Sequence, residues 1–89
     1  MDEREAIPGE AKPVEATAEQ AKRWIGIYEE LLRFEEGLLS VSRERVSKLT
    51  EVARREAQSS NIGALEADCN RYRQRLEIWR RRLKELESS

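Results

Sequence analysis

Eighty-nine residues, 39% of them charged, with two prolines and four glycines, describe one domain of long solvated helices, because a sheet protein needs more β-branched and aromatic residues. Seventeen basic residues against eighteen acidic ones leave a net charge of -1, which excludes a global field drawing the chain onto nucleic acid or an acidic membrane. A single cysteine, Cys69, and no histidine exclude an internal disulfide and the usual zinc sites.

A chain this short buries only roughly 60% of its unfolded surface, so its own core is marginal and partners are expected. No apolar run approaches the roughly 20 residues that span a bilayer, and Met1-Asp2-Glu3-Arg4-Glu5 does not read as a signal peptide. The expectation is therefore a cytoplasmic, all-α protein that makes no use of the membrane.

Residues 1–16 contain both prolines, Pro8 and Pro13, together with Gly9 and an acidic bias, and they show no apolar period. They read as a flexible acidic tail ahead of a helical hairpin domain at residues 17–89. Thr17-Ala18-Glu19-Gln20 has the form of a capping box, in which each side chain satisfies the other residue's backbone N–H. From that cap a helical period continues, predicting a first helix over about residues 18–57. Its seam is Ile25, Tyr28, Leu32, Glu35, Leu39, Ser42, Val46, Leu49 and Ala53.

Gln58-Ser59-Ser60-Asn61 supplies turn chemistry, and a second helix is predicted over about residues 62–87. It has the cleanest pattern in the chain: Ile62, Leu65, Cys69, Tyr72, Leu76, Trp79, Leu83 and Leu86 alternate spacings of three and four. Folding at the turn pairs positions whose numbers sum to about 118, with Cys69 by Leu49, Tyr72 by Val46, Trp79 by Leu39 and Leu86 by Leu32. Bulky residues then face small ones, as close helix packing requires. In this register Glu36 falls beside Arg80.

Two surfaces are left over. Trp24, Ile27, Leu31, Phe34, Leu38 and Val41 form a second apolar seam on the first helix, and the second helix ends too early to cover Trp24, Ile25, Ile27 and Tyr28. A homodimer covers the seam by pairing it antiparallel with its own copy, Trp24 near Val41, Ile27 near Leu38 and Leu31 near Phe34, to make a four-helix bundle. A break near Gly26 or Gly37 that folds a third helix back, or a helix from another protein, would cover it as well.

The other leftover is a cluster of Arg71, Arg73, Arg75, Arg80, Arg81 and Arg82, with Arg43 and Arg45 expected opposite Arg73 and Arg75. It would suit a phosphate backbone. It would equally suit a solvated face whose charges are met by Glu29, Glu30, Glu35 and Glu36 of a second subunit or by the acidic tail.

Proton-transfer and nucleophilic catalysis most often rest on histidine, and the four glycines stand apart from one another, so they build no phosphate loop. Cys69 lies at a core position, where a thiol packs as a small apolar group. The sequence therefore predicts no enzyme, no cofactor and no small-molecule substrate, but a non-catalytic interaction or assembly module. A nucleic-acid-associated regulator is the alternative.

Overall fold

The computed structural model describes residues 6–57 and 61–88. The Thr17 capping box forms as expected: the Thr17 hydroxyl accepts from the Gln20 N–H at 3.2 Å, and Gln20 Oε1 accepts from the Thr17 N–H at 2.9 Å. Helix α1 follows over Ala18–Val46 and is unbroken through Gly26 and Gly37, so no third helix folds back from its start. A short α2 spans Glu51–Ala57 and a long α3 spans Gly63–Ser88. The two long helices lie side by side in a rod of 56 × 20 × 19 Å.

The first helix ends eleven residues earlier than the expected boundary at 57. At the break the Ser47 hydroxyl donates to the Glu44 carbonyl at 2.6 Å, and Arg54 donates to the carbonyls of Ser47 and Leu49. The Thr50 hydroxyl then accepts from the Ala53 N–H at 3.4 Å, capping α2. Side-chain hydroxyls thus compete successfully with the helical ladder at Ser47 and Thr50. The apolar period that continues through here in the sequence is not used: Leu49 and Ala53 are exposed, and Val52 is 74% exposed. The predicted turn at 58–61 lies outside the described residues except for Asn61.

An earlier break lengthens the reversal and changes the register. Arg73 meets Glu36 at 2.8 Å, Arg43 meets Glu66 at 3.2 Å and Arg80 meets Glu29 at 3.5 Å. Each pair sums to 109, nine residues away from the expected 118, a slide of about 13 Å at 1.5 Å per residue. The expected Glu36–Arg80 pair is absent because both residues have other partners. The like-charged facing of Arg43 and Arg45 with Arg73 and Arg75 is not formed, and Arg43, Arg73 and Arg75 each pair with a carboxylate.

The slide carries α3 down to the start of α1, so Trp24, Ile25 and Tyr28 are covered within the chain. Trp24 stacks on Trp79 with ring centroids 6.3 Å apart, and Tyr28 packs against Tyr72 at 5.9 Å. Bulky rings therefore meet bulky rings here, and large-against-small pairing does not describe the interface. One core joins Ala16, Ala21, Tyr28, Tyr72, Leu76 and Trp79; a smaller one joins Leu39, Val46, Ile62 and Cys69 near the reversal.

Residues 6–16, expected from composition to belong to a flexible acidic tail, lie against the hairpin. Ile7-Pro8-Gly9-Glu10 makes a tight turn, with the Glu10 N–H donating to the Ile7 carbonyl at 3.1 Å and Gly9 at φ +87°. Proline followed by a positive-φ glycine is the requirement of a type II turn. Pro13–Glu15 then forms one turn of 3-10 helix in which Pro13 is buried. Ile7 and Ala11 pack on the larger core, and Ala16 is part of it. This strap lies along the hairpin and leads into the Thr17 cap.

In the smaller core, burial pushes the Cys69 thiol above its usual range, an effect to which Glu36, Glu35 and Asp68 add and which Arg73 opposes. Because the thiolate is the reactive species, Cys69 is expected to react with a disulfide reagent only as fast as the hairpin opens. Stopped-flow labelling checks this; a fast phase in the native protein would contradict the packing around Val46 and Ile62.

Candidate functional site

The second seam divides into two parts. Trp24 and Leu31 turn inward and pack on the larger core, and Ile27 is half-buried. Phe34, Leu38 and Val41 stay in water at 65%, 42% and 47% exposure. Only the later half of the predicted association surface is therefore free to associate, because the slid α3 and the strap have covered the earlier half.

What remains has an internal order. Along one stripe of α1 lie Glu30, Phe34, Gly37, Leu38, Val41 and Arg45, with Glu30 and Arg45 exposed at opposite ends. Reading the stripe backwards exchanges Glu30 with Arg45, Phe34 with Val41, and Gly37 with Leu38. A glycine inside a helix costs roughly 1 kcal/mol relative to alanine. Nothing among the described residues requires this one, since a Cβ built on Gly37 would meet none of their atoms within 4 Å.

The six arginines of the predicted anion patch each face a group within the chain. Arg71 lies 5.0 Å from the centre of the Tyr72 ring and 3.5 Å from Asp68. Arg73 binds Glu36 and Asn70, and Arg80 binds Glu29. Arg81 pairs with Glu77 at 3.0 Å, and Arg82 pairs with Glu85 at 3.3 Å while also donating to the Val14 carbonyl. Arg75 is buried. It pairs with Glu10, so the acidic segment does neutralise one arginine of the cluster.

The Glu10 environment is the feature that sequence reasoning missed. The Glu10 side chain is 0% exposed and receives donors from three elements. Oε2 accepts from Arg75 Nη2 and, at 2.8 Å, from Trp79 Nε1. Oε1 accepts from the Tyr28 hydroxyl and, at 3.3 Å, from the Ile7 N–H. Burial first, and then the hydrogen bond and charge of Glu10, push the Tyr28 hydroxyl up to about 12. Burial by itself would lower the Arg75 guanidinium, but the Glu10 carboxylate reverses this and holds it above its usual value. A buried ion pair tolerates its desolvation only when its remaining polar atoms are well bonded, and the carboxylate here has four donors. Pro8-Gly9 was the available signal: it marks a turn that fixes the direction of the next residue.

No helix among the described residues is long and apolar enough to cross a membrane. Comparison of the chain with protein-family models, with curated proteins and with solved structures finds no match.

Proposed function

We propose that the protein is a non-catalytic assembly module whose hairpins pair through α1 to form an antiparallel four-helix bundle. The observation that carries this reading is the exposed stripe of Phe34, Leu38 and Val41, closed at its ends by Glu30 and Arg45. A two-fold axis between Gly37 and Leu38 would set Phe34 on Val41 of the second copy, fit each Leu38 over the other copy's Gly37, and bring Glu30 to Arg45. Such an interface is isologous and closes on itself. It differs from the pairing expected from sequence, which was centred between Leu31 and Phe34, because Trp24 and Leu31 are now occupied in the core.

Each fully buried apolar side chain contributes roughly 1.5 to 3 kcal/mol, so the stripe is a substantial driving force for a chain with a small core. The nucleic-acid alternative has less behind it: using the arginines would require breaking intrachain pairs, including one with a buried carboxylate.

Light scattering on a sizing column tests the proposal. The wild type is expected to elute as a dimer and Phe34→Glu as a helical monomer. Glu30→Lys should weaken the dimer by setting like charges together, and adding Arg45→Glu should restore it. A wild-type monomer at high concentration, or a double variant no better than the single one, would sink the reading.

A further inference from the structure

The hairpin holds the strap through a site built for one carboxylate. Three of its four donors, Tyr28 from α1 and Arg75 and Trp79 from α3, belong to the two long helices, while the strap supplies the acceptor and the Ile7 N–H. Around Glu10 the strap contributes small or rigid residues. Ile7 and Ala11 touch the core and Pro13 is buried, whereas Pro8, Gly9, Lys12 and Val14 face solvent. A hollow of about 380 Å³ opens along the strap itself, bordered by residues from Ala6 to Val14 and, from the hairpin, by Arg75. A short segment of turns, anchored by one buried acid and held elsewhere by a few apolar contacts and the Arg82 bond to the Val14 carbonyl, is bound as a peptide ligand is bound: the charged anchor gives position and a few apolar contacts add affinity.

We propose that the groove formed by Tyr28, Arg75 and Trp79 is a recognition site for a turn-forming peptide anchored by one glutamate, and that Ala6–Ala16, through Glu10, is its internal occupant, displaced when such a peptide binds. The occupant's chemistry is specified by the site. One carboxylate must reach three donors at once, a tight turn must precede it, and a few apolar side chains must lie on the larger core as Ile7 and Ala11 do. A tethered segment has an effective concentration on the order of millimolar, so a competing peptide binds weakly until the strap is loosened. The site is separate from the Phe34 stripe and does not depend on dimerisation.

The test uses the full chain carrying Glu10→Ala and a synthetic peptide with the sequence of residues 6–16, followed by tryptophan fluorescence, since Trp24 and Trp79 are the only two tryptophans. Saturable binding is expected, at least tenfold tighter than to the wild type, and lost when the peptide itself carries Glu10→Gln. A second full-length variant, Gly9→Ala, strains the turn at its positive φ without touching the groove, and should bind the wild-type peptide several-fold more tightly than the unaltered chain does. Folded variants that bind no peptide would overturn the proposal. Should Glu10→Ala fail to fold, hydrogen exchange of the wild type decides. Strap amides that exchange well before those of α1 and α3 support displacement, and strap amides that exchange only with global unfolding refute it.

Discussion

Trp79→Ala is expected to cost about 3 to 5 kcal/mol, enough to leave much of the chain unfolded at room temperature. Trp79 has no exposed surface, stacks on Trp24 and donates its ring N–H to Glu10, so truncation opens a cavity where α1, α3 and the strap meet. Domains are stable by only about 5 to 15 kcal/mol, and one this small lies near the bottom of that range. Trp79→Phe separates the two contributions. The aromatic packing is largely kept, and the loss should fall to about 1 to 3 kcal/mol, the cost of leaving a buried acceptor without one of its donors. Urea denaturation followed by circular dichroism measures both. Equal losses for the two variants would mean that packing contributes little and that the bond to Glu10 dominates; a loss below about 1 kcal/mol for Trp79→Ala would contradict the core described here.

Trp79 also marks the boundary between what the sequence shows and what it hides. Its core position follows from the three-four spacing of α3, as do those of Tyr72, Leu76 and Cys69, and the start of α1 follows from Thr17 and Gln20. The neighbour of Trp79 does not follow. A heptad seam says which face of a helix is buried but not how far one helix slides along another, and that offset is fixed by where α1 stops. Leu49 and Ala53 kept the apolar period alive across the break, while Ser47 and Thr50, whose hydroxyls end α1 and cap α2, carried a weaker signal.

The strap was hidden for a different reason. Ile7, Ala11, Pro13 and Ala16 have no helical or strand period, and the partner of Glu10 lies 65 residues further along the chain. Proline and acid content argue for disorder only when nothing downstream can bind the segment, and no local pattern reveals that Arg75 faces inward. The association stripe was half legible: its apolar members stood out in the sequence, but the covering of Trp24 and Leu31 depended on the register and the strap.

Alkaline pH should destabilise the fold through Tyr28 in a window that its environment defines. In the unfolded chain a tyrosine hydroxyl releases its proton near pH 10, whereas in the native state Tyr28 holds it until about 12. Between those values the native state binds more protons than the unfolded one, so stability is intact below pH 10 and falls as pH rises through the window. Two pH units correspond to a loss on the order of 3 kcal/mol. The groups responsible meet at the strap: burial removes water, the Glu10 carboxylate accepts the hydroxyl's hydrogen bond and repels a phenolate, and the Ile7 N–H and then Arg75 work in the opposite direction. Tyr28→Phe removes the titrating group. It leaves Glu10 one donor short and is therefore less stable at neutral pH, but its stability should vary less with pH above 10 than that of the wild type. The slope is thus the decisive quantity, measured by urea denaturation at intervals through the window alongside the near-ultraviolet absorbance of the phenolate. An alkaline slope unchanged in Tyr28→Phe would place the sensitivity elsewhere and remove the Glu10–Tyr28 bond from the account of how the strap is held.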